Sequence, residues 1–430
     1  MDKKIINIVT LGCSKNLVDS EQLSAQLSRS GYVVEYNSTD TNARIVVINT
    51  CGFIGDAKEE SIDTILRYAN LKNMGEIDEL FVFGCLAERY REDLRKEIEE
   101  VDNFFGVNDL KELVEKLNAK YEESNLHERM LSTPKHYAYL KIAEGCDWQC
   151  SYCAIPLIRG KHKSKSIEDI VLEANEIVAK GVKEVMLIAQ DLTYYGIDMY
   201  GERKLAELLV ELCKIEKLEW IRLHYAYPAH FPREVIEVMK NNPKICNYID
   251  IPFQHANSAI LKSMRRGITK EETYDLINFF RSEIPDIAIR TTLIAGYPTE
   301  TEADFEELCD FVKECKFDRL GVFAYCHEED TPCSRELEDV ITDEEKQRRV
   351  DVIMTLQAQI SLENNHKLVG TTQKVIIDRK EGEYFVGRSQ YDSPEVDQEV
   401  LITSSKELIC GDFYEVEITG FENYDIFAKC

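Results

Sequence analysis

Three apolar runs in the first third of the chain each end on a cysteine and then pass into a helical pattern. "INIVTLGCSKN" reaches Cys13, "RIVVINTCGFI" reaches Cys51 and "LFVFGCLAERY" reaches Cys85. With a fourth run, "NFFGV", they alternate with amphipathic segments over 16–30, 57–71, 86–99 and 108–118. Continuous apolar strands separated by helices are the pattern of a parallel sheet with covering helices. Such sheets carry their binding groups in the loops at the carboxyl ends of the strands. Cys13, Cys51 and Cys85 are therefore expected on one edge of one sheet, the only place from which three strands can bring three thiols to one point. A lone cysteine at a strand end is usually a small buried residue. Three at equivalent positions point to a shared ligand.

A chain of 430 residues is too long for one ordinary core, and 44% apolar residues supply material for several. Residues 1–121 form the first predicted domain. Residues 122–136, "EESNLHERMLSTPKH", lose the strand signal and carry a proline, so they read as a linker. A second alternating series over 137–366 contains "YAYLKI", "EVMLIAQ", "EWIRLHY", "NYIDIP", "IAIRTTLI" and "RLGVFAY". Six strand–helix units without a closing pair predict an open, partial (β/α) barrel, which a long polar helix over about 342–366 leaves. In 367–430, "QKVIID", "EYFVGRS", "QEVLIT", "DFYEVEITGF" and "DIFAKC" predict a small antiparallel β-barrel. The fold class is α/β.

"MDKKIINIVTLGC" has no apolar stretch of signal-peptide length, and no segment approaches the roughly 18 apolar residues that span a bilayer. A cytoplasmic protein without membrane contact is expected. Its 14 cysteines are then not disulfides, because cytosolic reductants keep thiols reduced. With 52 Lys and Arg against 79 Asp and Glu, the net charge is −27, which argues against a nucleic-acid partner.

"EGCDWQCSYCAIPLIRG" places Cys146, Cys150 and Cys153 in C-x3-C-x2-C spacing after the first barrel strand. Thiolates hold iron–sulfur clusters, and a 4Fe–4S cubane has four irons to ligate. Three cysteines leave one iron open for the amine and carboxylate of a substrate, as in the radical S-adenosylmethionine (SAM) enzymes, which this loop resembles; Tyr152 fits the aromatic usual there. A structural zinc site is the plainer alternative, but it normally needs a second cysteine or histidine pair, and none lies nearby. By the same count Cys13, Cys51 and Cys85 are expected to hold a second cluster. No G-x-G-x-x-G, P-loop, G-x-S-x-G or H-E-x-x-H motif is present.

Barrels of this kind put function at the carboxyl ends of their strands. Gln190 and Asp191 in "AQDLTYYG" and Arg290 and Thr292 in "IRTTLIAGYP" are candidate SAM-binding residues, with Gln254 and His255 in "IPFQHAN" beside them. For each the competing reading is a polar cap on a strand or helix. His224 and His230 read as packing or surface residues. The basic run "RGKHKSK" (159–165) reads as a solvated loop, or else as a docking point for an acidic electron donor such as flavodoxin. The other eight cysteines read as structural thiols.

Together these features resemble the radical-SAM methylthiotransferases, whose plan is an N-terminal cluster domain, a radical-SAM partial barrel and a C-terminal TRAM barrel. The resemblance covers essentially the whole chain. "LGCSKNLVDSE" (11–21), "NTCGFIGDAKEES" (49–61) and "GCLAERY" (84–90) are similar to the branch that modifies ribosomal protein and not tRNA. Ser14 stands where that branch commonly has proline, and the 159–165 run has lysines where arginines are common; neither touches a ligand position. The resemblance implies two 4Fe–4S clusters and SAM as both radical source and methyl donor. It implies hydrogen abstraction from the β-carbon of an aspartate of the small-subunit ribosomal protein twelve, with the Cys13, Cys51 and Cys85 cluster presenting or supplying sulfur. Methylthiolation of a tRNA adenosine is the alternative, and a non-catalytic iron–sulfur or zinc protein that binds RNA is a third reading. In 370–430, thirteen Asp and Glu face six Lys and Arg, a net of −7. An acidic terminal barrel suits a basic protein substrate and makes tRNA an unlikely partner. The sulfur source and the electron donor are not identified by any motif.

Overall fold

In a computed structural model of the chain, residues 4–39 and 41–430 are described. Two compact units are found: one of Met1–Thr133, Tyr139–Trp148 and Cys153–Ile177, the other of Pro134–Ala138, Gln149–Tyr152 and Val178–Cys430. Among the described residues no helix is long and apolar enough to cross a membrane.

The first unit is built on β1 (Ile5–Thr10), α1 (Ser14–Arg29), β2 (Val33–Tyr36), β3 (Ile45–Thr50), α2 (Gly55–Asn73), β4 (Glu79–Gly84), α3 (Cys85–Glu97), β5 (Asn103–Phe105) and α4 (Leu110–Lys116). The strands lie in the order β2-β1-β3-β4-β5, and every neighbouring pair is parallel. All six residues of β3 are buried because both faces are covered. Val46 and Ile48 pack with Ile65, Leu80, Val82 and Leu86 beneath α2 and α3. Ile45 and Val47 point the opposite way, into Ile6, Ile8, Leu23, Leu27, Phe81 and Leu113 beneath α1 and α4. The sequence pattern missed β2, a four-residue edge strand with no fully buried position. It decides the topology nonetheless. With β2 outside β1, the strand order reverses between β1 and β3, and open sheets of this order bind ligands at that switch point.

The segment 122–133, expected as part of a linker, is pinned to this unit. Arg129 is fully buried and reaches Glu21, Glu173 (3.1 Å) and the carbonyl of Tyr139. A buried guanidinium needs such compensation to leave water. β6 (Tyr137–Lys141), β7 (Ala143–Glu144), α5 (Ile155–Arg159), β8 (Lys163–Ser164) and α6 (Ile167–Ala179) follow, with β7 and β8 pairing as a two-stranded antiparallel ribbon.

The second unit continues with β9 (Glu184–Ile188), α7 (Ile197–Tyr200), α8 (Leu205–Cys213), β10 (Trp220–Leu223), α9 (Glu234–Asn241), β11 (Ile245–Asp250), α10 (Ser258–Ser263), α11 (Lys270–Glu283), β12 (Ala288–Ala295), α12 (Glu302–Cys315), β13 (Arg319–Ala324), α13 (Pro332–Glu336) and α14 (Asp343–Leu368). The six strands form an open sheet ordered β13-β12-β11-β10-β9-β6, as the six strand–helix repeats predicted. Capping boxes at Thr269/Glu272 and Thr301/Asp304 start α11 and α12.

β14 (Thr372–Glu381), β15 (Tyr384–Ser389), β16 (Val400–Thr403), β17 (Phe413–Phe421) and β18 (Ile426–Lys429) close into a barrel around Val375, Ile377, Val400, Ile402, Val416 and Ile418. It is not wholly antiparallel, because β16 and β18 run parallel. The reason is topological: alternating directions cannot close a ring of five strands without one like-directed pair.

This barrel is joined to the six-stranded sheet by buried charges. Glu184 accepts from Arg222 and from Arg388, both at 2.8 Å, and Arg388 also holds Asp378 at 2.6 Å. Arg319 holds Asp392, and Arg290 holds Asp250 and Asp397, each at 3.2 Å. Asp397, counted above toward an acidic surface, is thus an interior partner with its side chain 1% exposed. Removing one partner of a buried pair strands the other. Arg388→Leu should therefore lower the stability of the metal-free protein by about 3 kcal/mol or more in urea denaturation. Arg379→Leu, which breaks exposed pairs to Glu381 and Glu399, should cost under about 1 kcal/mol.

Candidate thiol sites

The three N-terminal thiols lie where the sheet topology puts a binding site. Cys13 caps α1 just beyond β1, Cys51 follows β3 directly, and Cys85 opens α3 at the end of β4. β1 and β3 flank the switch point. Helix N-termini favour the thiolate over the thiol. Cys13 is exposed, whereas Cys51 and Cys85 are buried.

Their approach depends on glycine at the strand ends. Gly12 has φ +86°, and a Cβ there would sit 2.7 Å from Cys51 Cβ and 3.0 Å from its sulfur. Gly84 has φ +104°, and its Cβ would meet Asn49 Oδ1 at 2.5 Å and the Thr50 carbonyl at 2.7 Å. Side chains would hold the strand ends apart at both positions.

A buried polar lattice ties the same loops together. Asn16 Nδ2 donates to the carbonyls of Leu11 (2.9 Å) and Thr50 (3.1 Å), while Asn49 Nδ2 donates to the carbonyl of Asn16 (2.7 Å) and to Ser20 (3.0 Å). Ser61 accepts from the Cys51 amide at 3.0 Å and donates to its carbonyl at 2.9 Å. Thr50 reaches across to the Phe83 carbonyl at 2.8 Å.

Arg159, at the end of α5, enters this lattice. Its side chain is 2% exposed, and Nη2 donates to Cys85 Sγ at 3.4 Å and to Asn16 Oδ1. Nη1 is held by Asp19 (2.9 Å) and Glu144 (3.0 Å), and Lys141 binds the same two carboxylates. Ala154 and Ile158, which follow Cys153 in the chain, pack against Cys85. Burial pushes the Cys85 thiol up to about 11, opposed by Arg159 and assisted by Cys13 and Cys51. Burial also raises Cys51, with Cys13 adding to it. Neither Arg159 nor Asn16 was singled out from sequence. Arg159 belongs to the run read as a solvated loop, and its only mark was being the one arginine in a stretch of lysines.

Cys146, Cys150 and Cys153 lie in the loop between β7 and α5, where the Cys146 amide donates to the Gly160 carbonyl at 3.0 Å. Cys150 is buried, with its sulfur 3.6 Å from the Tyr227 hydroxyl and 3.5 Å from Arg266 Nη1. The Arg266 guanidinium stacks 4.1 Å from the Tyr227 ring centroid. Each buried pair of thiol and arginine repeats the other: Arg159 on Cys85, Arg266 on Cys150. Among the described residues no group of three or more His, Cys, Asp or Glu side chains is drawn together as a cage for a single ion. A tetrahedral zinc needs its sulfurs about 2.3 Å from one centre, whereas the corners of an iron–sulfur cube spread theirs.

The expected SAM contacts divide. Gln190 and Asp191 follow the end of β9, and Asp191 is a buried cap that accepts from the amide and hydroxyl of Thr193, each at 2.7 Å. Arg290 is the third residue of β12 and not at its carboxyl end. Its pairs with Asp250 and Asp397 tie it to the end of β11 and to the terminal barrel, and hold its pKa above the usual arginine value despite burial. Thr292 is mid-strand, its carbonyl accepting from the Gln254 amide at 2.9 Å. Gln254 itself sits beyond β11 with φ +73°, and its Oε1 is buried without a hydrogen-bond partner. A strained backbone and an orphaned acceptor at this edge of the sheet fit a ligand contact.

Residues 140–312 match the radical SAM superfamily, 5–106 the uncharacterized protein family UPF0004 and 369–430 the TRAM domain. A curated relative from Bacteroides thetaiotaomicron, named ribosomal protein uS12 methylthiotransferase RimO, is 54% identical over 430 residues, covering 100% of this chain and 99% of its own. One of the same name from Cytophaga hutchinsonii is 53% identical over 428 residues, covering 99% and 98%. The chain belongs to the uS12 methylthiotransferase family. Among solved structures, the radical SAM methyltransferase TsrM from Kitasatospora setae superposes with a TM-score of 0.56 at 13% identity, covering 77% of each chain. That likeness shows a radical-SAM fold, and membership of the superfamily brings SAM and one 4Fe–4S cluster with it.

The glycine constraint gives a direct test. Gly84→Ala should destabilise the metal-free protein by about 1–3 kcal/mol, read as a lower urea midpoint, because an extended backbone of positive φ and two short contacts coincide there.

Proposed function

We infer that this protein transfers a methylthio group to ribosomal protein uS12, at the β-carbon of an aspartate. The observation that carries the reading is that a chain related end to end to the uS12 methylthiotransferases has both a tricysteine loop and a second cysteine trio at a sheet switch point. The relatives' names specify a ribosomal protein, so the tRNA alternative finds no support in them.

We assign Cys146, Cys150 and Cys153 to the cluster that binds SAM, and Cys13, Cys51 and Cys85 to a second 4Fe–4S cluster. Held there, the first would supply the electron for radical chemistry at an unactivated carbon, and the second would present or supply the sulfur. The protein's part is to hold these groups and shield them. Arg266 and Tyr227 shape the wall around Cys150, and Asn16, Asn49 and Ser61 keep the three strand ends in register. Gln190 and Gln254 are proposed to meet SAM. Asp191 is proposed to contribute through the turn it caps, while Arg290 and Thr292 support the strands behind. A soluble electron donor such as flavodoxin and a cytoplasmic location complete the proposal.

The terminal barrel is proposed to favour a basic protein. Of its thirteen acidic residues, Asp392 and Asp397 have buried carboxylates in ion pairs and Asp378 is partly buried against the buried Arg388, which leaves ten acidic against five basic residues more open to solvent. Reversing exposed Glu415 and Glu417 to lysine should slow modification of uS12 at low salt and have less effect at moderate salt, because rim charges act on encounter.

The decisive experiment counts iron and sulfide in anaerobically prepared protein. Replacing Cys146, Cys150 and Cys153 by Ala should leave about half the iron of a two-cluster protein and abolish SAM cleavage. Replacing Cys13, Cys51 and Cys85 should also remove half, yet leave SAM cleavage and abolish methylthio transfer, read by peptide mass spectrometry of uS12. Full iron in the second variant would sink the second cluster; methylthiolated adenosine in place of aspartate would sink the assignment.

A further inference from the structure

Arg159 has no role in the assignments above, yet it is the most completely engaged side chain at the N-terminal trio. One side of its guanidinium faces Asp19 and Glu144, and the other faces Cys85 Sγ and Asn16 Oδ1. With Lys141 on the same two carboxylates, the four charges sum to zero. The thiols therefore do not meet a free cation. They meet the positive end of an oriented ion-pair array, in a buried place where such a dipole is little screened. Arginine alone can do this, because its planar fork serves a sulfur, an amide oxygen and two carboxylates at once.

We propose that Arg159 is a positioning residue that donates a hydrogen bond to the Cys85 sulfur and thereby sets the reduction potential of the N-terminal cluster. The inference rests on the second-cluster reading. Three thiolates and a cube gather negative charge, and adding an electron increases it. A donor aimed at one ligand sulfur lowers the cost of that electron and moves the potential upward, as hydrogen bonds to cluster sulfurs do. Arg266 stands in the same relation to Cys150, 3.5 Å from its sulfur, so the same arrangement recurs on a buried thiol of the radical-SAM loop. Arg159 also ends the helix that begins two residues beyond Cys153.

The test uses full-length protein with Cys146, Cys150 and Cys153 replaced by Ala, so that only the N-terminal cluster is read. Arg159→Gln and Arg159→Lys are introduced on this background, and iron, sulfide and the midpoint potential are measured by an EPR-monitored redox titration. The expected result is iron retained in both, a more negative potential in Arg159→Gln and a smaller shift in Arg159→Lys. A potential unchanged in Arg159→Gln with iron retained overturns the inference alone. Equal loss of iron in Gln and Lys variants also overturns it, since the residue would then act by shape and not by its donor. A parent without iron overturns the second-cluster reading and this inference with it.

Discussion

A strand in a parallel sheet can offer a side chain to its neighbours' loops only at its end, and every feature of the N-terminal unit follows from that limit. Three thiols at the ends of β1, β3 and β4 share the carboxyl edge because nowhere else do three parallel strands release their chains together. A shared edge is not enough, since ordinary side chains would keep the strand ends apart. Gly12 and Gly84 take positive φ and remove the atoms that would block Cys51 and Asn49. Asn16 then fills the gap with hydrogen bonds to two strand ends, which a glycine-lined cleft in water would not keep in register.

Burial and charge compete at the N-terminal thiols. Removing a thiol from water raises its pKa, and this wins at Cys85 in the metal-free protein. The ion-paired arginine works the other way, as does the N-terminal position on α3. Metal binding requires the thiolate, so the arginine on Cys85 favours the form a cluster needs. The placement is economical in charge: Arg159 is balanced by Asp19 and Glu144 and so does not sit buried and uncompensated.

In the second unit, ion pairs settle a different question. The contact with the six-stranded sheet has an apolar patch, in which Trp220, Cys246, Tyr248 and Ala288 meet Ile376, Tyr391 and Phe413, with Trp220 on Phe413 at 4.8 Å. Beside it Arg222, Arg290, Arg319 and Arg388 face buried carboxylates. Such pairs give little net stability but fix register, because a shifted arrangement would leave charges buried alone. This is why the formal charge of the barrel overstates the acidity of its surface.

Periodicity and spacing carried the fold class, the six barrel strands and the five terminal strands, because these depend on local pattern and residue type. β2 was lost since four half-exposed residues at a sheet edge give no apolar run, and with it the switch point went unseen. Arg290 was misplaced because the carboxyl end of a strand is set by pairing partners, here Ala295 beside Ala324, and not by composition. Asn16 and Arg159 were illegible for a related reason. Their partners lie up to 143 positions away in the chain, and a lysine-rich stretch looks solvated until the fold buries one member of it. By itself the sequence determined the fold class and singled out six thiols at strand ends and in one loop. Only the tertiary structure decided which side chains face them, because that depends on what long-range packing places opposite each sulfur.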